Sequence, residues 1–287
     1  MATDALPASL GEAWRLAATR IDRLDARLLL EHVAGCTHAT LIASPERPLA
    51  AAAAAQLAAL VERRAGGEPL AYLVGSAGFY GLVFQVSPAV LIPRPETELL
   101  VELALKHVAE LPANVAAPRL LDLGTGSGAI AVSLAARLPQ AAVSAVERSP
   151  AALAIARGNA VSNGVSVAFH QGDWFAPLAG ERFDIVVANP PYVAAGDPHL
   201  AQNGLPFEPQ EALSDGSDGL ACLRAIVAAA PQHLVADAWL LLEHGYDQAA
   251  AVRALLNEAG FVEVASHRDL AGIERVSGGR WPNRSPR

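Results

Sequence analysis

The chain has 287 residues, 52% hydrophobic and 5% aromatic, with 21 basic side chains against 29 acidic ones and a formal net charge of −8. The apolar share excludes a wholly disordered chain, and the carboxylate excess argues against a nucleic-acid coat protein, which needs a basic face to displace counterions. Two distant cysteines, Cys36 and Cys222, argue against a disulfide scaffold or a zinc site; with no signal peptide and no apolar run longer than Leu49 to Val61, a cytoplasmic protein is expected.

Helical spacing opens the chain. Leu10, Ala13, Trp14 and Ala17 mark one helix within Ser9 to Arg20, and Leu24, Leu28, Leu29 and His32 mark another within Leu24 to Gly35. Thr37 can cap a short third helix through Ala43. Pro48 starts an alanine-rich helix running to about Ala65, and Pro69 to Val74 adds a turn. Residues 1–74 are expected to form a small helical bundle. Gly78-Phe79-Tyr80-Gly81-Leu82-Val83-Phe84 then suggests a hairpin, and Pro88, Pro93 and Pro95 stiffen the linker after it, so 75–96 reads as a connecting segment. The helical period returns from Thr97 to about Leu111.

Beyond Arg119 short apolar runs alternate with helices. Strands are expected at 120–123, 142–146, 165–169, 183–188, 239–243 and 261–265, with helices at 129–138, 150–162, 220–234 and 248–259. Such alternation argues an α/β fold with a doubly wound sheet over residues 97–287, whose ligands bind outside the carboxyl ends of the strands. The tail, Gly278 to Arg287, reads as polar and frayed or capping a sheet edge.

Asp122-Leu123-Gly124-Thr125-Gly126-Ser127-Gly128 follows one predicted strand and opens a helix, where glycines allow a sharp turn and close approach to a ligand. Glu147 ends the next strand, where a carboxylate can accept from both ribose hydroxyls. The stretch Gly124-x-Gly126-x-x-Ala129 also fits a dinucleotide site. Asp122 weighs against that, because a carboxylate repels a pyrophosphate but can hold a cationic amine. S-adenosyl-L-methionine carries such an amine and is the favoured cofactor. Asp173-Trp174, just after the third strand, can meet the adenine through a carboxylate and a flat ring; an ordinary core tryptophan is the competing reading.

Asn189-Pro190-Pro191-Tyr192 directly follows the fourth strand. Two prolines fix two φ angles and remove two N–H donors. A planar –NH2 then finds two acceptors, the Asn189 side chain and the Pro190 carbonyl, while Tyr192 offers a ring to cover it. Methyl transfer to a weakly nucleophilic amide nitrogen needs positioning and polarisation more than a nucleophilic side chain. His170, His199 and His244 read as structural or solvated, and no metal is called for.

These motifs, with Pro93-Arg94-Pro95-Glu96-Thr97-Glu98, Phe207-Glu208-Pro209 and Leu241-Leu242-Glu243-His244-Gly245, resemble the HemK/PrmC protein-(glutamine-N5) methyltransferases along nearly the whole chain. The resemblance implies a class I S-adenosylmethionine-dependent methyltransferase: a Rossmann-like seven-stranded sheet with its last strand antiparallel, behind a small N-terminal helical domain that binds the substrate protein. It implies methylation of the glutamine in the Gly-Gly-Gln motif of peptide chain release factors 1 and 2, by a monomer without nucleic acid or membrane partners. Gly124 to Gly128, Glu147, Trp174 and Asn189 would contact the cofactor, and Asn189 to Tyr192 the glutamine. Glu147 departs from the aspartate of many relatives but keeps the carboxylate. The alternatives are a glutamine methyltransferase of a large-subunit ribosomal protein and a nucleic-acid amino-methyltransferase. The charge division, −1 up to Gly75 and −7 after it, favours a protein substrate over DNA.

Overall fold

A computed structural model describes residues 7–283 apart from 113 and 203. The chain divides into two compact units, one ending at Ser76 and one beginning at Ala77.

The first unit holds α1 (Leu10–Ala17), α2 (Arg23–Ala34), α3 (His38–Ala43), α4 (Ala51–Ala65) and α5 (Leu70–Val74). The first three begin at side-chain caps: Ser9, Asp22 and Thr37 accept from the amides of Glu12, Leu24 and Thr40. Each such cap contributes about 0.5–2 kcal/mol. Leu10, Ala13, Ala17, Leu29, Leu30, Leu57 and Leu60 meet in one core. The buried face of α2 differs from the predicted one. Ala26, Leu29 and Leu30 are buried, whereas Leu24 is 52% exposed. Three consecutive leucines offer two helical stripes, and packing takes the one that passes through the small Ala26.

At the division between the units begins a hairpin, β1 (Ser76–Phe79) and β2 (Leu82–Gln85), which from Ala77 on belongs to the second unit. Its turn places both Tyr80 (φ 51°) and Gly81 (φ 77°) in the left-handed region, as a two-residue hairpin of mirror-image type requires. After α6 (Glu98–Ala109) come β3 (Arg119–Leu123), α7 (Ala129–Arg137), β4 (Ala142–Glu147), α8 (Pro150–Ser162), β5 (Ala168–Gln171) and β6 (Phe183–Ala188). Then follow α9 (Gln210–Leu213), α10 (Ala221–Ala229), β7 (Leu234–Glu243), α11 (Ala249–Glu258), β8 (Val262–Arg268) and β9 (Glu274–Arg280).

β3 to β9 form one seven-stranded sheet in the order β5-β4-β3-β6-β7-β9-β8, with β9 antiparallel to both its neighbours. The chain winds outward from β3 to β5, then returns to the other side of β3 for β6 and β7, so the winding reverses between β3 and β6. Alternate residues feed two cores. Leu120, Val143, Ile185 and Val187 pack with α6 and α7 residues such as Leu100 and Ile130. Leu121, Leu123, Val186 and Leu242 pack with α10 and α11 residues such as Ile226 and Val252. Burial on both faces explains the nearly continuous apolar runs of these strands.

Three expectations are corrected. The helix predicted over 220–234 ends at Ala229, because Pro231 breaks it, and Leu234 already begins β7. The third strand of the sheet lies at Ala168–Gln171, later than predicted. Gly278 to Arg280 are no frayed tail but the end of β9, inside the sheet; residues 284–287 lie outside the described residues. No described helix is long and apolar enough to cross a membrane.

Candidate active site

The registers make the ends of the central strands level. Leu123 pairs with Val146 and with Ala188, Ala188 pairs with Leu242, and Glu147 pairs with Gln171. The residues next in line, Gly124, Glu147, Gly172, Asn189 and Glu243, therefore emerge along one edge, at the reversal of the winding where doubly wound sheets bind ligands. A cavity of about 280 Å³ opens there. Of the residues singled out in the sequence, Gly124, Gly126, Glu147, Asp173, Trp174, Asn189 and Pro191 line it. Asp122, Thr125, Ser127, Gly128, Pro190 and Tyr192 are not among its lining residues.

The loop after β3 turns on three left-handed glycines, Gly124 (φ 70°), Gly126 (φ 55°) and Gly128 (φ 84°). A Cβ on Gly124 would come within 3.3 Å of the Trp174 ring, and one on Gly128 within 3.2 Å of the Ala156 Cβ. Asp122 lies wholly buried beneath the loop. Its Oδ2 accepts from the Thr125 hydroxyl at 2.6 Å and from the Ala131 amide at 3.2 Å, while Oδ1 has no protein partner. Burial raises its pKa to about 7 against the pull of those two hydrogen bonds. The expectation that Asp122 faces a ligand amine thus meets a carboxylate turned toward the start of α7. Its acceptor occupies the helix terminus where a phosphate binds in dinucleotide folds. The amides of Gly124, Thr125, Gly126 and Gly128 also all donate within the protein. A pyrophosphate finds little there, whereas an uncharged ribose and adenine fit.

Glu147 accepts from the Gly126 amide (2.9 Å, Oε2) and the Ser149 amide (2.8 Å, Oε1). Each oxygen keeps a lone pair, so the carboxylate is held in one pose with acceptors still free. Trp174 adopts φ 43°, unusual for a bulky residue and a mark of a backbone held for a purpose. Behind the loop, the buried Asn159 of α8 bridges two segments. Its Oδ1 accepts from the Gln85 amide (2.7 Å), and its Nδ2 donates to the carbonyls of Gln85 (3.0 Å) and Ser127 (2.8 Å). Sequence inspection missed it; an asparagine inside an otherwise apolar helix was the available signal.

On the opposite wall Asn189 donates from Nδ2 to the Thr97 hydroxyl at 3.2 Å. The Tyr192 hydroxyl donates to Glu243 Oε1 at 3.3 Å, and the Tyr192 carbonyl accepts from Gln248 Nε2 at 2.9 Å. Burial raises the Tyr192 pKa, and the Glu243 carboxylate beside it adds to the rise. Glu243 is itself buried and its pKa is raised to about 7, chiefly by loss of solvent. Arg94 pairs with the buried Glu208, whose other oxygen accepts from the Ile92 amide at 3.1 Å. That clamp joins the proline linker, whose Ala89 to Leu91 line the cavity, to the long loop after Tyr192. Thr97, Glu208 and Glu243 were visible in the sequence only as shared motifs, without a role. Asp215, which lines the cavity, accepts from the amides of Ser217, Gly219 and Ala221 and shapes the approach to α10. His244 donates from Nδ1 to the Gly245 carbonyl at 2.9 Å and accepts at Nε2 from Ser277 at 2.8 Å, a structural bond set. No group of three or more metal-ligating side chains occurs among the described residues.

The sheet, its winding reversal and a cavity built from a glycine loop and Asn-Pro-Pro-Tyr define a methyltransferase. Residues 13–75 match the family model of the PrmC N-terminal domain, and residues 97–217 that of the methyltransferase small domain. The chain is 53% identical over 283 residues to the release factor glutamine methyltransferase of Burkholderia pseudomallei, spanning 96% of this chain and 97% of the relative. It is 52% identical over 267 residues to that of Xylella fastidiosa, spanning 93% and 96%. The chain belongs to the release factor glutamine methyltransferase family. Among solved structures it is similar to the 16S rRNA N2 G1207 methyltransferase of T. thermophilus, solved with AdoMet and guanosine. The TM-score is 0.53 at 24% identity over 71% of this chain and 49% of that one, a likeness of fold alone.

Proposed function

We propose that this enzyme transfers a methyl group from S-adenosyl-L-methionine to the side-chain amide nitrogen of the glutamine in the Gly-Gly-Gln motif of peptide chain release factors 1 and 2. The observation that carries the reading is the level strand edge. Gly124, Glu147 and Trp174 line one side of the cavity and Asn189 and Pro191 the other, in a chain about half identical to enzymes named for this reaction.

The cofactor is S-adenosylmethionine, which supplies, when bound, an electrophilic methyl on a sulfonium with a good leaving group. Gly124 to Gly128 give it a backbone cradle without side chains, and Asp122 keeps that cradle in shape from below. Glu147 accepts from the ribose hydroxyls, Asp173 from the adenine amine, and Trp174 covers the ring. Asn189 Oδ1 and the Pro190 carbonyl accept the two amide hydrogens of the glutamine, which aims its nitrogen lone pair into the cavity. Pro191 and Tyr192 hold those acceptors in place. Catalysis comes from orientation and polarisation, and no side chain is asked to attack. The helical unit, residues 1–74, grips a remote part of the release factor; 75–96 connect it to the catalytic part, 97–287. Its place of action is the cytoplasm, where release factors work, and it acts as a monomer on protein alone.

The test is radiolabelled methyl transfer to purified release factor and to its Gln→Ala tripeptide variant. Labelling of the first alone is expected. Equal labelling of both, or faster labelling of a ribosomal-protein glutamine, overturns the reading. Hydrogen exchange of the full chain with bound release factor is expected to show added protection in α1 to α5; unchanged exchange there removes the gripping role.

A further inference from the structure

Asn189 to Tyr192 can orient a glutamine amide only if the backbone of the segment is held still. Pro190 and Pro191 have no N–H, so the segment must be held mainly through its carbonyls and side chains. At its exit one residue does this, and it is not among those that line the cavity. Gln248, directly before α11, donates from Nε2 to the Tyr192 carbonyl at 2.9 Å and to the Gly219 carbonyl at 3.2 Å, and its Oε1 accepts from the Gly245 amide at 2.8 Å. These partners fix which way the amide points. A backbone N–H only donates and a carbonyl only accepts, so Oε1 faces Gly245 and Nε2 faces the two carbonyls.

We infer that Gln248 is a positioning residue for methyl transfer: it ties the exit of Asn-Pro-Pro-Tyr to the sheet and to the 214–219 loop, and so sets where the Asn189 and Pro190 acceptors stand. Its three partners lie on three segments. Gly245 follows β7, whose Leu242 pairs with Ala188 at the end of β6, so that anchor belongs to the sheet. Gly219 ends the loop whose Ser214 and Asp215 line the cavity. This loop runs beside the exit of the motif: the Val193 amide donates to the Leu213 carbonyl at 3.0 Å and the Ala195 amide to the Ser217 carbonyl at 2.8 Å. The junction is tight enough to demand a glycine. At φ 81°, a Cβ on Gly219 would come within 2.5 Å of the Tyr192 carbonyl oxygen and 2.8 Å of Gln248 Nε2. The loop also keeps a shape of its own, because Asp215 accepts from the amides of Ser217, Gly219 and Ala221. Loss of Gln248 therefore frees the motif more than the loop. Gly124, Glu147 and Trp174, placed on the cofactor, are carried by β3, β4 and the segment after β5, to which none of the three bonds runs. The inference rests on the proposed role of Asn189 and deepens it: a side chain outside the cavity holds the acceptors that meet the substrate.

The experiment compares Gln248→Met and Gln248→Glu in the full chain. Cofactor affinity is measured by calorimetry, folding by thermal melting, and kcat and KM with release factor. Gln248→Met keeps the length of the side chain and removes its amide. Gln248→Glu keeps the acceptor for the Gly245 amide and sets a carboxylate oxygen against two carbonyls. Gln248 is half-buried, so water can reach the groups it leaves and both variants are expected to fold. In Gln248→Met kcat is expected to fall by about 10- to 100-fold, the cost of a misplaced reactant, with KM and cofactor Kd within about threefold of wild type. Gln248→Glu should lose at least as much turnover, because the donors matter and the acceptor alone does not hold the motif. Wild-type kcat in either variant overturns the inference. So does a fall in kcat matched by an equal loss of cofactor affinity, which marks a general loosening of the cavity. Should one variant fail to fold, the other carries the same test. Failure of the underlying reading shows separately, as wild-type enzyme that labels the Gln→Ala release factor.

Discussion

Asn159→Ala isolates the support behind the glycine loop. Asn159 is fully buried and makes three hydrogen bonds, two to the Gln85 backbone and one to the Ser127 carbonyl, so it ties both β2 and the loop to α8. A net 0.5–1.5 kcal/mol for each neutral bond gives a loss of about 2–4 kcal/mol, the upper end applying where the Ser127 carbonyl stays dry. For a unit of this size each kcal/mol lowers the midpoint by about 2–4 °C, so the expected shift is roughly 4–16 °C. The Ser127 bond adds a functional signature. With the loop less constrained, cofactor affinity should weaken several-fold while KM for release factor stays constant. Thermal melting and calorimetry on the full chain measure both. A midpoint within about 2 °C of wild type would show that water replaces all three bonds, and unchanged cofactor affinity would show that the loop holds its shape alone.

Asn189→Ala should leave cofactor binding in place while lowering turnover by about 100-fold or more, as loss of an orienting group does; turnover within a few-fold of wild type refutes its role. Gly128→Ala forces a side chain into φ 84° and against Ala156, at a cost of about 1–3 kcal/mol, read from denaturant midpoints; an unchanged midpoint means α8 yields. The pKa of Asp122, raised by burial to about 7, means its contribution to stability is fully present below the usual carboxylate value and is lost as pH rises through about 7. Melting temperature should therefore fall between about pH 4 and pH 7, and Asp122→Asn should lessen that slope, leaving the share of Glu243, whose pKa burial raises likewise; an equal slope in the variant refutes the assignment.

The central strands were legible because burial on both faces makes them nearly all apolar, as in Leu120 to Leu123 and Phe183 to Ala188, each interrupted by one aspartate, Asp122 or Asp184. The glycine loop and Asn-Pro-Pro-Tyr were legible because backbone geometry leaves few residue choices. β9 was hidden for a physical reason. Gly278 and Gly279 look like loop residues, yet a Cβ on Gly278 would reach 2.5 Å from Leu241 Cδ2 and one on Gly279 2.9 Å from the Phe261 Cβ. The strand needs glycines where its neighbours fill the space, and its apolar period vanishes with them. The first half of β7 was hidden too: Leu234 reads as the end of a helix and the strand as starting at Trp239, and the ladder to β6 is irregular between Phe183 and Ile185, with Asp237 at φ 66°. Asn159, Thr97 and Glu243 act through partners 74, 92 and 51 residues away. Nothing local in the sequence announces such pairings.

The place of β9 bears on how the protein is made. It is the last of the described strands in sequence yet sits between β7 and β8, so a nascent polypeptide that has reached only Arg268 carries a β7 with one bare flank and a β8 with no neighbour to bond. Synthesis adds about 5–20 residues per second. The helical unit is complete by Ser76, long before that moment. The sheet closes only when Glu274 to Arg280 have been made and are free to pair, so the catalytic part matures well after the helical unit. Until then its unpaired edges are the places where a chaperone can attach or a wrong neighbour can bind.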